Sequence, residues 1–180
     1  GIKAKTVNFF SFDKKVELSP FPDQFTVLTY IGEGREEFYG IKEIYSMAKS
    51  LPDVQVDIVG INAYSLMEKP DNVRLLGWVD DMDKKMEQAM VCVRMAEHDG
   101  LSAFVLEALS RGRYVVYRFA YPECKQAVNA DELRNQIELI KGRYNQSALE
   151  LNKGGVALIE QHFSSDIILR NLIEEFNKVI

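Results

Sequence analysis

Short apolar runs alternate along this chain with segments in which apolar residues recur every three or four positions. The runs are typical of buried β-strands, and they are Thr26–Tyr30, Val54–Val59, Val73–Leu76, Met90–Met95 and Tyr114–Arg118. The spacing of Ile41, Ile44, Tyr45, Ala48 and Leu51 predicts an amphipathic helix between the first two runs. Two further helices are predicted, one over Met82, Met86 and Ala89 and one over Ala103–Leu109.

Polar residues before the helical segments predict where helices begin. Asp80 is expected to cap the helix over Met82, with Asp83 in its first turn. After Tyr121 the pattern becomes helical throughout. We expect one helix over Asp131–Lys141 and a second over Ser147–Gln161, interrupted at Gly154–Gly155. A last helix is expected to be capped by Ser165 and to carry an apolar stripe of Leu169, Leu172, Ile173 and Phe176.

Strands that alternate with helices predict a doubly wound α/β fold, with a mainly parallel sheet and helices on both faces. Residues 1–24 read as a linker, stiffened by the prolines of Ser19–Pro22, and residues 25–180 as the domain. In such folds ligands bind outside the carboxyl ends of the strands, near the point where strand order reverses. The loops after Tyr30, Val59 and Met95 are therefore the candidates for a site.

Composition narrows the class of partner. The chain has 180 residues, 47% of them hydrophobic, and a formal charge of −5, which argues against a broad nucleic-acid footprint but leaves room for a local basic pocket. Its two cysteines, Cys92 and Cys124, form no metal or disulfide pattern and indicate a reducing, cytoplasmic compartment. We see no signal peptide and no apolar run of membrane-spanning length. Because the chain begins with Gly1 and not with Met, we interpret it as a piece of a longer protein.

The loop Ile31–Gly40 is the first candidate for phosphate binding. Gly32 and Gly34 let backbone approach a ligand, and Arg35 is the cation placed to grip a phosphate. Glu37 stands where a dinucleotide fingerprint needs its third glycine, so that motif is absent. The alternative is a flexible surface loop with an arginine–glutamate pair.

The stretch Asp99–Gly112 is the second candidate. Amides near Ser102 and Ala103 begin a helix, lack intrahelical partners and suit an anion. Glu107, inside an apolar helical run, is suited to accept hydrogen bonds from ribose hydroxyls, and Asp99 from those of a sugar ring. The alternative is that Ser102 is only an N-cap and that Glu107 forms a surface pair with Arg111, four residues on.

Two other residues invite a function. His98 lies between two acids but matches no metal spacing, so we interpret it as structural or solvent-exposed. Trp78 follows a predicted strand, and the sequence leaves open whether it lines a pocket or packs.

Taken together, these segments resemble the C-terminal, nucleotide-sugar-binding domain of GT-B glycosyltransferases, in particular family 4, or group 1. The family hallmark is an acid, seven residues, a glutamate, small apolar residues, a glycine and a Val-Val strand. Here that pattern reads Asp99, Glu107, Gly112 and Val115–Val116, and Gly100 follows the first acid as it does in the family. Glu97, two residues before that position, is the alternative for the first acid. Val7–Phe12 is similar to the family's linker, and Asn72–Val79 to the strand before its base-binding region.

The resemblance implies one Rossmann-like half of a GT-B fold and assigns the site residues. Glu107 would hold the ribose and Asp99 would contact the donor sugar. The amides of Gly100, Leu101, Ser102 and Ala103 would receive the diphosphate. Gly34 would let backbone approach the phosphate, and Arg35 would help to offset charge on the leaving group. Such enzymes generally work without a bound metal or other cofactor, so we expect none here.

The sequence departs from the family in two ways. Tyr39 stands where the family has a lysine before the glycine that corresponds to Gly40, and the N-terminal acceptor-binding domain is absent. We expect the donor-binding half of a retaining, hexose-transferring enzyme, inactive alone, whose partners are a nucleotide sugar and the missing half. If the protein contacts a membrane surface, we expect that contact to be made by the missing half. The alternative is a degenerate GT-B domain that serves as a non-catalytic interaction or regulatory module.

Overall fold

The computed structural model describes residue 11 and residues 16–178. Its strands are β1 (Thr26–Tyr30), β2 (Gln55–Val59), β3 (Val73–Gly77), β4 (Val91–Arg94), β5 (Tyr114–Tyr117) and β6 (Lys125–Gln126). Its helices are α1 (Ile41–Ser50), α2 (Met82–Glu87), α3 (Ala103–Ser110), α4 (Ala130–Asn145), α5 (Lys153–His162) and α6 (Ser165–Asn177).

The strands form one sheet in the order β3-β2-β1-β4-β5-β6, and every pairing among them is parallel. The predicted doubly wound α/β fold is confirmed, and each of the five predicted strands is present to within one residue at either end. The sequence did not predict β6, because its two residues are both exposed and carry no apolar signal. The order of the strands reverses between β1 and β4, which places the topological switch point there.

Side chains of successive strand residues enter separate cores on the two faces of the sheet. Val27 and Val91 face a core that includes α1 and α4, whereas Leu28 and Cys92 face a core that includes α3 and α5. Burial on both faces explains why the strands read as continuous apolar runs rather than as an alternation. Cys92 is buried as expected, and desolvation raises the pKa of its thiol to about 12.

Three predicted helix starts are wrong. Asp81, not Asp80, caps α2, and its carboxylate accepts a hydrogen bond from the Lys84 amide at 2.9 Å. The helix predicted from Ser147 begins only at Lys153, because Ser147 adopts a left-handed φ of 54° and Asn152 caps the later start. The last helix has Ser164 at its N-cap position, one residue before the predicted cap.

The apolar stripe predicted on α6 does not form a buried face. Ile168 is buried, but Leu169, Ile173 and Phe176 are each at least half exposed. Among the described residues, no helix is both long and apolar enough to cross a membrane.

The end of the predicted linker lies against the domain. Arg113 is fully buried and donates a hydrogen bond to the Ser19 carbonyl at 3.0 Å, and its guanidinium lies over the ring of Phe21. The segment Val7–Phe12, apart from residue 11, lies outside the described residues. The division at residue 24 stays a prediction.

Candidate functional site

The candidate site is formed by two loops at the switch point of the sheet. Residues 31–40 follow β1 and residues 95–102 follow β4, so both leave the carboxyl ends of adjacent strands. A backbone hydrogen bond from the Glu97 amide to the Phe38 carbonyl, at 2.9 Å, joins the loops directly. The two segments singled out in the sequence therefore meet at one edge, where a doubly wound fold binds its ligand.

The loop after β1 presents Arg35 but already engages one of its amides. The Gly34 amide donates to the Glu36 carboxylate at 2.9 Å, so an anion must displace that carboxylate to reach it. Arg35 is exposed and lies over the ring of Phe38, 5.6 Å from its centroid. Glu37 of this loop forms an ion pair with Lys42 at 2.8 Å, and this pair holds the Glu37 pKa below its usual value.

Tyr39 lies inside an aromatic cluster. Its ring meets those of Tyr30 and Phe38 edge to face, at centroid distances of 5.8 Å and 5.1 Å. A β-carbon on Gly32 would lie 3.2 Å from the Tyr39 ring, so this glycine leaves room for it. The residue that replaces the family's lysine is thus fixed in place by packing.

Asp99 is held by an ion pair with the end of β4. Arg94 Nε donates to Asp99 Oδ2 at 2.8 Å, and each of the two side chains is only 12% exposed. The Tyr117 hydroxyl of β5 donates a hydrogen bond to the Gly100 carbonyl at 3.2 Å. The pKa of Tyr117 is raised, mainly because its hydroxyl is buried and secondly because the Asp99 carboxylate lies near it. Glu97, the other acid considered for this position, is exposed.

The start of α3 is open toward the same edge. Ser102 occupies the N-cap position and its carbonyl accepts from the Leu106 amide, but its side chain makes no capping hydrogen bond. No acidic residue lies in the first turn, and a β-carbon on Gly100 would have no neighbour within 4 Å. The structure thus brings Gly100, Leu101, Ser102 and Ala103 together around amides whose dipole favours an anion.

Glu107 is half-buried on α3, and the alternative interpretation, a surface pair with Arg111, is not found. Arg111 is buried; it donates to the backbone carbonyl of Glu107 at 3.0 Å and forms an ion pair with Asp83 of α2. Burial raises the pKa of Glu107, while the nearby Arg111 charge opposes that shift. Within the described part of the chain, the Glu107 carboxylate accepts no hydrogen bond, so its oxygens remain available to hydroxyl donors.

Sequence reasoning missed two arginines at this edge. Arg94 ends β4, and its carbonyl accepts from the amide of Arg118, which follows β5 and pairs with Glu43 at 3.8 Å. Arg94 also stacks on Tyr39, with Cζ 4.6 Å from the ring centroid. A signal was present, because Arg94 is the one charged residue in the apolar run Met90–Met95.

His98 and Trp78 are both exposed. His98 lies at the surface with its ring 6.3 Å from that of Phe38, in agreement with the interpretation of a structural or solvent-exposed histidine. Trp78 is 79% exposed, so it does not pack into the core. Among residues 16–178, no three His, Cys, Asp or Glu side chains come close enough together to hold a metal ion.

The family comparison identifies the class of protein. The model described as "Glycosyl transferases group 1" matches residues 26–141, and the chain belongs to this family as a GT-B domain. The comparison with curated protein sequences gave no match.

Solved structures share the fold at low sequence identity. HepE from Anabaena, solved with UDP-glucose, superposes with a TM-score of 0.70 at 15% identity, over 87% of this chain and 49% of HepE. The pneumococcal O-GlcNAc transferase GtfA, solved with UDP and GlcNAc, gives 0.65 at 18% identity, over 97% and 40%. Sucrose-phosphate synthase from Thermosynechococcus elongatus gives 0.68 at 18% identity, over 87% and 46%. The chain thus spans about half or less of the length of these structures.

Proposed function

We propose that this chain is the donor-binding domain of a retaining glycosyltransferase that transfers a hexose from a nucleoside-diphosphate sugar to an acceptor. The observation that carries the proposal concerns the half-buried Glu107 carboxylate, which lies behind the open start of α3. Among the described residues, no donor forms a hydrogen bond with this carboxylate. A carboxylate in this state is costly alone and is stabilised by hydroxyl groups that donate to it. HepE was solved with UDP-glucose, and GtfA was solved with UDP and GlcNAc; both complexes support a nucleotide ligand.

Each group of the site has a role in this proposal. The amides of Gly100–Ala103 receive the diphosphate and Glu107 accepts from the ribose hydroxyls. Asp99 accepts from the donor sugar. When the bond between the sugar and the diphosphate breaks, negative charge develops on the leaving phosphate, and the helix dipole and Arg35 stabilise it. No metal is invoked, since protein cations supply this stabilisation.

The acceptor is expected on a second domain. HepE is about twice the length of this chain, which covers 49% of it, and we propose that the missing N-terminal half binds the acceptor. The 180-residue chain alone is then expected to bind nucleotide and to transfer no sugar. We place the protein in the cytoplasm, because its two cysteines are both free.

A second candidate is a non-catalytic module that keeps the GT-B fold for an interaction or regulatory role. Two observations favour it: Glu36 engages the Gly34 amide, and Arg94 engages Asp99. In this alternative Glu107 is a structural residue, and no nucleotide depends on it.

Calorimetric titration with UDP, GDP and ADP separates the two functions. The transferase proposal predicts that at least one of them binds and that Glu107→Ala weakens its affinity about tenfold or more, since hydrogen bonds to a charged group are lost. Glu160→Ala, at an exposed position of α5, is the matched control and is expected to leave affinity unchanged. Absence of binding by all three nucleotides, or equal binding by the Glu107 variant, contradicts the proposal and favours the module.

A further inference from the structure

We propose that Arg94, held on the ring of Tyr39, is a second diphosphate-binding cation beside Arg35 and takes the place of the lysine that position 39 lacks. The inference rests on the proposed function, since it names the group that grips the phosphates of the donor. It assigns a role to two residues that the family hallmark does not include.

The position of Arg94 suits this role. It is the last residue of β4, next to β1 at the switch point, and its backbone pairs with Tyr117 of β5. Its side chain is 12% exposed, so its charge acts in a partly desolvated environment where it interacts strongly with an anion.

The guanidinium retains donors for a ligand. Its hydrogen bond to Asp99 uses Nε, and among the described residues the two Nη groups make no hydrogen bond. An arginine fork binds a phosphate through two parallel donors, which a tyrosine hydroxyl cannot reproduce. Asp99 orients the fork from one side and leaves its other edge for the ligand.

Tyr39 acts as the platform for that charge. Arg94 Cζ lies 4.6 Å from the centroid of its ring, within the range of a cation–π interaction. Tyr39 is itself fixed edge to face by Tyr30 and Phe38, and Phe38 carries Arg35 at 5.6 Å in the same way. The aromatic pair therefore bears one guanidinium on each ring, and the proposal assigns these two cations to the phosphates of a nucleoside diphosphate.

The first experiment measures the binding of inorganic pyrophosphate, which has no base or sugar, and of UDP, GDP and ADP beside their nucleosides. Arg94→Gln is expected to weaken pyrophosphate and nucleotide affinity about 10- to 100-fold, while nucleoside affinity changes less than twofold. Arg170→Gln, an exposed arginine on α6, removes the same charge and is expected to change neither. Equal pyrophosphate affinity in the wild type and Arg94→Gln overturns the inference, as does a wild type that does not bind pyrophosphate.

A rescue variant tests the exchange of roles directly. Tyr39→Lys combined with Arg94→Gln restores a cation at the family position and is expected to recover pyrophosphate affinity to within about threefold of wild type. A double variant as weak as Arg94→Gln contradicts the exchange. If Arg94→Gln does not fold, as judged by thermal unfolding, Tyr39→Leu provides the measurement. It keeps Arg94 but removes the platform, and unchanged affinity in it overturns the inference.

The outcomes for the inference and for the proposed function are distinct. Pyrophosphate binding that depends on Arg94, without binding of any nucleotide, supports the inference and contradicts the transferase proposal. Nucleotide binding that depends on Glu107 but not on Arg94 supports the transferase proposal and contradicts the inference.

Discussion

A β-carbon on Gly40 would lie 2.6 Å from the β-carbon of Met95, which is closer than such atoms approach in proteins. Gly40 ends the loop after β1 with a φ of 77°, and Met95 begins the loop after β4. The missing side chain therefore allows the two halves of the candidate site to meet, and the left-handed backbone turns the chain into α1.

Gly40→Ala is expected to destabilise the domain by about 2–4 kcal/mol, from backbone strain and the forced separation of Met95. Gly34→Ala is the matched control, because Gly34 has a similar φ of 73° but nothing within 4 Å of its added carbon. Gly34→Ala should lower the free energy of unfolding by only about 1 kcal/mol, which is the contribution of the backbone strain alone. Urea unfolding of both variants measures this, and equal losses would show that the contact with Met95 contributes nothing.

Glu107→Gln is expected to stabilise the ligand-free domain at pH 7 and to weaken nucleotide binding. Burial raises the pKa of Glu107 above its ordinary value of 4.5, so its ionised form is disfavoured in the folded state. Wild-type stability from this group is present below pH 4.5 and is lost as the pH rises through the folded-state pKa. The stability advantage of the glutamine variant over wild type should therefore grow between pH 4.5 and pH 7.

Urea unfolding at both pH values tests this sign, with Glu160→Gln as the control for loss of one exposed negative charge. A variant whose advantage shrinks as the pH rises would show that Glu107 is stabilised as a carboxylate. That result would place a cation on it in the ligand-free protein.

Asp83→Asn is expected to cost about 1–3 kcal/mol, because it leaves the buried Arg111 guanidinium without its carboxylate partner. Arg111 also donates to the Glu107 carbonyl, so the change should reduce nucleotide affinity as well. Asp71→Asn, at an exposed position before β3, controls for the lost charge. Thermal unfolding and nucleotide titration of the two variants measure both effects, and unchanged stability in Asp83→Asn would contradict the role of the pair.

Asp81→Ala is expected to destabilise the domain by about 1 kcal/mol through loss of the α2 cap, whereas Asp80→Ala should be neutral. Chemical denaturation of the two variants compares neighbouring aspartates that differ only in this hydrogen bond. A larger loss in the Asp80 variant would reverse the assignment of the cap.

The sequence predicted the strands well because their signal is local and strong. Runs such as Met90–Met95 are buried on both faces, and few other structures accommodate them. Helix starts were predicted less accurately. Asp80 and Asp81 are chemically the same, and only the backbone angles decide which of them reaches the Lys84 amide.

The parts of the candidate site that are close together in the sequence could be predicted. The contacts between segments that are far apart in the sequence could not. Asp99 and Glu107 lie on one loop and the helix that follows it, so their spacing in the sequence was enough to predict that they belong to one candidate site. The partner of Arg111 was missed because Asp83 lies on another helix, and the alternative pair of Arg111 with Glu107 does not form. Arg94 was missed because its contact with Tyr39 depends on the order of the strands, which puts β4 beside β1.

The most direct test of the proposed donor site is nuclear magnetic resonance of the ¹⁵N-labelled chain titrated with UDP, GDP and ADP. The account predicts that at least one nucleotide shifts the amides of residues 32–40 and 100–107 together, and leaves those of α6 unchanged. Shifts confined to other surfaces, or none with any of the three nucleotides, would contradict it.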